Sequence, residues 1–306
     1  MQDEERRGIL LALAGFALLS LGDAVIKTIA GQWSPLAVAA LRFVFGAVGL
    51  SALLYAREGA TGFRAARPLL QFGRGLCLAA ATLCFFSAIF IMPLAEAMAL
   101  TFVSPVITAL LSRPLLGEKV RPITWIASPL ALLGVALILR PNLAEIGWPA
   151  VLPLASATSF SLMVIANRAS AGSGTPLAMQ AFVAIVAAPA LLLAAAAGGA
   201  SGAARLAVTM PEWSVLVRCA VVAVTASTAH LLIYLGTTRA GAATVAPMSY
   251  VQMLVAGGLG WWWFGEVPDL TAFAGATVII AAGLALWWFT PAVPRKRMVG
   301  SAPPAG

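Results

Sequence analysis

MPLAEAMALTFVSPVITALLSRPLLGEKVRPITWIASPLALLGVALILR, residues 92–140, is the stretch whose reading decides the fold. Two apolar segments are joined by a polar hairpin, Gly117-Glu118-Lys119-Val120-Arg121-Pro122, and the same plan closes the chain. A shift of 148 positions lays Gly117-Glu118 on Gly265-Glu266, Val103 on Val251 and Thr101-Phe102 on Ser249-Tyr250. The earlier parts of the halves match with a shift of 141: Ser34-Pro35-Leu36-Ala37 falls on Thr175-Pro176-Leu177-Ala178, Ser20-Leu21 on Ser161-Leu162, and Lys27 on Arg168. Few residues are identical, so what repeats is a pattern, a five-segment unit used twice.

Working outward, 61% of the 306 residues are hydrophobic and only 10% are charged. The apolar runs are roughly 20 residues long, enough to cross a hydrocarbon core of about 30 Å. A soluble enzyme would carry about 25% charge, and a membrane barrel would show alternating segments of about ten residues. The chain reads as an all-α polytopic membrane protein with ten transmembrane helices, expected at 8–30, 34–55, 68–91, 93–112, 122–140, 147–168, 175–197, 212–238, 240–264 and 268–290. The first run follows Arg6-Arg7, lacks a small-residue cleavage site and leads into Asp23–Lys27, so it is read as a spanning helix and not as a signal. Cys77, Cys84 and Cys219 fall inside apolar segments without ligand spacing and are expected as free thiols, with no metal and no cofactor. The net charge of +8 suits contact with a lipid bilayer, and no basic run suggests nucleic acid.

Orientation follows from the basic residues. With the N-terminus inside, Arg6, Arg7, Arg57, Arg64, Arg67, Arg74, Arg113, Lys119, Arg121, Arg168, Arg239, Arg295, Lys296 and Arg297 lie on the cytoplasmic side. Only Lys27, Arg140, Arg205 and Arg218 go outside, and Arg42 stays in the membrane. Both termini are therefore expected in the cytoplasm, in a plasma (inner) membrane. The nine tryptophans then fall near helix ends, where an amphipathic ring favours the headgroup region. Five helices per unit is an odd number, so the second unit enters the bilayer upside down. The domains expected are residues 1–142, residues 143–291 and a cytoplasmic tail, 292–306. Such inverted repeats recur in secondary transporters, because the halves can exchange shapes and open to opposite sides.

On these residues the chain resembles the ten-helix EamA-type members of the drug/metabolite transporter superfamily. The resemblance is carried by Pro35–Arg42 (PLAVAALR) with the preceding Lys27, by the hairpins LLGEK (115–119) and WFGE (263–266), and by the helices of Gly134 and Gly283 after them. It implies a central cavity lined by the first four helices of each half, with the fifth and tenth helices peripheral. It also implies transport of a small organic molecule, and family members move amino acids, sugars, nucleotide-like metabolites or drugs.

Charges inside a bilayer cost about 2.5–3.5 kcal/mol each on insertion scales, which makes them the first functional candidates. Asp23 and Lys27 share one face of the first helix, and Arg42 reaches a depth of about 12 Å against about 10 Å for Asp23. This cluster either pins two helices together or binds a charged substrate group or a proton. Glu96 opens the fourth helix, where the helix dipole alone could account for it. His230 lies about 12 Å from the cytoplasmic face and either relays protons or bonds a carbonyl. Asp23, Lys27, Glu96 and His230 are the coupling candidates, with protons as the coupling ion. Tyr250, Gln252, Thr101, Ser104 and Arg42 are the expected substrate contacts, since paired polar positions near the midplane of both halves suit a site shared between repeats. Glu118 and Glu266 are read as ends of helix-Gly-Glu turns, on opposite membrane sides. Gly46, Gly49, Gly257, Gly258, Gly260 and Gly275 are read as helix-packing positions.

An enzyme would need clustered ligands or a nucleophile beside a base, and one histidine offers neither. With no P-loop, ATP does not drive the protein directly. The expected function is secondary active transport of an amino-acid-like or nucleoside-like metabolite, with uptake of S-adenosylmethionine or riboflavin among the readings. The alternatives are an exporter of amino acids or drugs, and a channel-like bundle.

Overall fold

The computed structural model describes residues 2–29, 31–91, 94–118, 120, 122–139, 147–203, 206–265 and 269–288, except the side chains at 2–3, 89–91, 94–96, 99, 138–139, 264, 272 and 286–287. The helices are α1 (Gln2–Lys27), α2 (Pro35–Glu58), α3 (Pro68–Ile91), α4 (Leu94–Thr101), α5 (Ser104–Leu116), α6 (Pro122–Leu139), α7 (Val151–Ala169), α8 (Pro176–Ala200), α9 (Trp213–Ala240), α10 (Ala242–Val245), α11 (Val251–Phe264) and α12 (Leu270–Trp288). Seven helical stretches are long and apolar enough to cross a membrane, and three shorter apolar helices at Ser104–Leu116, Pro122–Leu137 and Phe273–Ala285 bring the total to ten.

Two expected helices are broken. The fourth divides at Phe102-Val103 into α4 and α5, and the ninth passes from α10 through a 3-10 turn, Ala246–Tyr250, into α11. Proline is the local cause. Pro105 and Pro247 sit at the starts of the new helical segments, and neither can donate to the carbonyl four residues back. By the shift of 148, Phe102 and Tyr250 are counterparts, so the breaks fall at matching points of the two halves.

Hydroxyl groups serve the backbone at these breaks in the same way in each half. Ser20 Oγ donates to the Gln252 carbonyl at 2.7 Å, and Ser161 Oγ donates to the Ser104 carbonyl at 2.9 Å. Ser20 and Ser161 are repeat counterparts, and so are Gln252 and Ser104. The same serine-to-backbone bond therefore ties the start of the re-formed helix to its neighbour in each half.

Helix pairing follows the same exchange. The α1–α9 pair corresponds to α7–α3, α1–α11 to α7–α5, and α2–α9 to α8–α3, while α2–α8 and α6–α12 each map onto themselves. As expected, α6 and α12 lie at the periphery. They pack on each other and expose Trp125, Ile126, Leu133, Phe273, Leu284 and Trp288 on the surface that meets lipid.

The closest approach is between α1 and α9. Gly8, Gly15 and Gly22 recur every seven residues, two turns apart, and so lie on one face of α1. A Cβ on Gly15 would lie 2.8 Å from the Ala229 carbonyl oxygen, and one on Gly236 would lie 2.6 Å from the Gly8 carbonyl oxygen. Gly134 is as tight against α12, with the Gly275 carbonyl oxygen at 2.7 Å from its would-be Cβ. The glycines expected to pack behave differently: Gly49, Gly257 and Gly258 have nothing within 4 Å, and Gly46 faces only Ser227 at 3.3 Å. Bilayer helices gain mainly from close contact, so the glycines that matter are those whose missing Cβ lets two backbones meet. The three cysteines are free, Cys219 buried and Cys77 and Cys84 half-buried.

Candidate functional site

Between the halves lies a narrow cavity of about 30 Å³. Its walls come from α2 (Arg42, Phe43, Gly46), α3 (Leu78), α8 (Gln180, Val183) and α9 (Ser227, His230), so both halves contribute. Arg42 is delivered by α2, whose Pro35 at the helix start leaves room for a full turn before the arginine. Its guanidinium carbon lies 4.9 Å from the Phe43 ring centroid, and its Nε is buried with no hydrogen-bond partner.

Asp23 and Lys27 are exposed on the last turns of α1. The charges of Asp23 and Arg42 act on one another across the space between α1 and α2. The pair is a field interaction, not a salt bridge, since among the described residues no ion pair within 4 Å joins them. His230 lines the cavity within the field of both Arg42 and Arg74. Glu96 belongs to α4, but its side chain lies outside the described residues.

One turn deeper is a second polar layer. Arg74 lies four residues before Leu78 on α3 and Tyr234 four residues after His230 on α9, so both lie about one turn, roughly 6 Å, beyond the cavity, and Met179 directly precedes Gln180 on α8. Arg74 is 0% exposed. It donates from Nε to Asn167 Oδ1 at 2.9 Å and from Nη1 to the Met179 carbonyl at 3.2 Å and to Gln71 Oε1, and its guanidinium carbon lies 5.0 Å from the Tyr234 ring centroid. Arg74 Nη2 and Gln71 Nε2 are buried without partners. Arg74, counted among the basic residues of one side, is thus inside the bundle: helix α3 begins six residues earlier, and α7 and α8 pack over its first turns.

Beyond that layer the face that carries the start of α1 is tied shut. Arg239 pairs with Glu4 at 3.4 Å, which sets the end of α9 beside the start of α1. At the same face Glu118 accepts from Arg168 Nε at 2.7 Å and from the Ala242 N–H at 3.2 Å, while Arg168 Nη1 donates to the Thr238 carbonyl. One carboxylate thus joins the ends of α5, α7 and α9 to the start of α10. Gly117, at φ +67°, ends α5 with its N–H on the Arg113 carbonyl, and Gly265, at φ +69°, ends α11 in the matching place. The helix-Gly-Glu turn is therefore present at Gly117-Glu118, with an additional role for its carboxylate. Glu266, like Lys119, lies outside the described residues.

Four expected substrate contacts are placed elsewhere than in the Arg42 cavity. Tyr250 is 2% exposed, its ring stacks on that of its counterpart Phe102 with centroids 6.0 Å apart, and its hydroxyl donates to the Ser128 carbonyl at 3.2 Å. Its other surroundings form a separate apolar groove with Ile9, Leu13, Leu254 and Ile279. Ser104 is buried, and Thr101 donates to the Ala97 carbonyl of its own helix at 2.8 Å. Gln252 is half-buried and does not line the cavity. Sequence reasoning missed Gln180, Ser227 and Arg74. The available signal was Arg74 itself, a charge inside an apolar run.

A ten-helix bundle of two matching halves around a shared polar cavity is the architecture of a membrane transporter. The EamA-like transporter family matches the chain twice, over residues 6–140 and 147–288, and the chain belongs to that family. It is therefore a multi-pass transporter of the drug/metabolite type and not an enzyme. It is 28% identical over 281 residues to a pseudopaline exporter of Pseudomonas aeruginosa, covering 90% of this chain and 93% of that protein. It is 27% identical over 188 residues to a riboflavin transporter of Rhizobium johnstonii (61% of this chain, 60% of that one) and 23% identical over 277 residues to an S-adenosylmethionine uptake transporter of Rickettsia prowazekii (89% of each). A solved crystal structure superposes with a TM-score of 0.78 at 20% identity, covering 91% of this chain and 96% of its own, which shows a shared fold.

Proposed function

We propose that the chain is a secondary active transporter that carries a small organic metabolite by alternating access, binding it in the cavity of Arg42, Gln180, Ser227 and His230. The observation that carries this reading is that one cavity is lined by both halves, because only a shared site can be exposed to each side in turn. The units 1–142 and 143–291 are the exchanging halves. The protein lies in the inner membrane with both termini cytoplasmic, so the face tied by Glu118 and Arg168 is cytoplasmic and the structure is closed inward. Protons are the coupling ion, with Asp23 at the cavity mouth and His230 in its wall as carriers, and Lys27 and Glu96 in supporting places near the mouth. The substrate is amino-acid-like or nucleoside-like. Uptake of S-adenosylmethionine or riboflavin and export of an amino-acid-derived metabolite are the readings that the named relatives favour.

Proteoliposomes holding the full chain should concentrate labelled solute above the outside level when a pH gradient is imposed, and lose it when the gradient is collapsed. Entry that stops at equal concentrations would make the protein a channel. For the topology, Glu118→Cys and Glu266→Cys, each in a chain whose three native cysteines are replaced, should label from opposite sides with an impermeant maleimide. Labelling from the same side would remove the exchange mechanism.

A further inference from the structure

Arg42 lines the cavity with a buried, unpartnered Nε, and Arg74, one turn below its floor, keeps an unpartnered Nη2 beside the unpartnered Nε2 of Gln71. The groups against Arg74 are the Gln71 and Asn167 amides, the Met179 carbonyl and the Tyr234 ring, all of them neutral. Among the described residues, Asp23 is the carboxylate whose charge acts on Arg42, and it is exposed. Two guanidinium groups thus follow one another along the axis, with His230 within reach of both, against one carboxylate, Asp23, among the described residues.

Burying an arginine without an anion is costly, and removing charge from guanidinium is not a route open to it. A transporter can hold such a cation where its passenger supplies the missing charge. Resting on the transport reading above, we infer that the transported molecule carries an anionic group, a carboxylate or a phosphate, which Arg42 takes first and Arg74 takes next. The planar fork of each guanidinium suits both groups, and the spare amide N–H of Gln71 adds a donor at the second station. When the cytoplasmic face opens, the Arg74 layer becomes the new cavity wall, and the anion passes one turn along the axis without entering an apolar gap. The rest of the passenger is then free to vary, because the polar contacts concentrate on one end of it.

The test supplies proteoliposomes of the full chain with an equimolar mixture of the twenty amino acids, succinate, glycerol 3-phosphate, glucose, adenosine and putrescine, and identifies retained solutes by mass spectrometry. Every solute enriched over empty liposomes should carry a carboxylate or phosphate, and the amino-acid and phosphate arms tell which. Arg42→Gln and Arg74→Gln should each lower enrichment at least ten-fold, Arg74→Lys should restore part of it, and Arg113→Gln, at an exposed site on α5, should match wild type. Enrichment of glucose, adenosine or putrescine without any anionic solute overturns the inference and leaves transport standing, as does wild-type enrichment by a folded Arg74→Gln. Retention of no solute at all by the wild-type protein removes the transport reading and this inference with it. The wild-type arm decides the solute class even if the Arg74 variants fail to fold.

Discussion

Gly236→Val is expected to abolish the folded protein. A Cβ at this position would stand 2.6 Å from the Gly8 carbonyl oxygen and 3.1 Å from the Ala12 backbone nitrogen, so the obstacle is backbone that cannot rotate away. Overpacking that side chains can absorb costs about 1–3 kcal/mol. Here α1 and α9 must separate along their length, which also lifts Gly15 from Ala229 and strains the Arg239–Glu4 contact. Total stabilities of about 5–15 kcal/mol leave little room for that. Size-exclusion profiles and thermal midpoints in detergent check it, with Gly49→Val, which meets nothing within 4 Å, as the matched control. A monodisperse Gly236→Val with a wild-type midpoint would mean that the two helices do not meet as described.

The second large effect is expected at Glu118. Its carboxylate holds Arg168 and the Ala242 N–H, and the close fit of Gly241 against it, with Oε1 3.1 Å from a would-be Cβ, shows how little slack the junction has. Glu118→Ala removes one acceptor from two donors, which costs about 1–3 kcal/mol in the closed arrangement and less once water enters. A mid-range loss of about 2 kcal/mol corresponds to roughly a 30-fold shift between closed and open populations. Ser170, buried beneath this junction, reports it. Ser170→Cys in a cysteine-free chain should label slowly, and adding Glu118→Ala should raise its rate from the Glu118 face at least ten-fold. An unchanged rate would show that the junction is not what closes this face.

The number of helices, their order and the doubling of the unit were legible because apolar length and the Gly-Glu hairpins are local signals. The pairing of Ser20 with Ser161 was also legible, and the two serines make the same hydrogen bond in their respective halves. The breaks at Phe102 and Tyr250 were not. Hydropathy runs unbroken through both, and each stretch was expected as one continuous helix, 93–112 and 240–264. Arg74 was misread for a related reason. Its depth depends on how α7 and α8 cover the start of α3, a long-range contact that no local pattern records.

The stacked rings of Phe102 and Tyr250 differ by one oxygen atom. In the arrangement described, that oxygen gives Tyr250 a hydrogen bond to the Ser128 carbonyl. If the halves trade shapes as proposed, Phe102 takes over the position and has nothing to donate. A net hydrogen bond is worth about 1 kcal/mol, which corresponds to roughly a five-fold preference at room temperature. Two gene-duplicated halves that were identical here would idle equally in both orientations. A single hydroxyl thus gives the empty carrier a default side on which to wait, and Tyr250→Phe would bring its two waiting populations closer to parity.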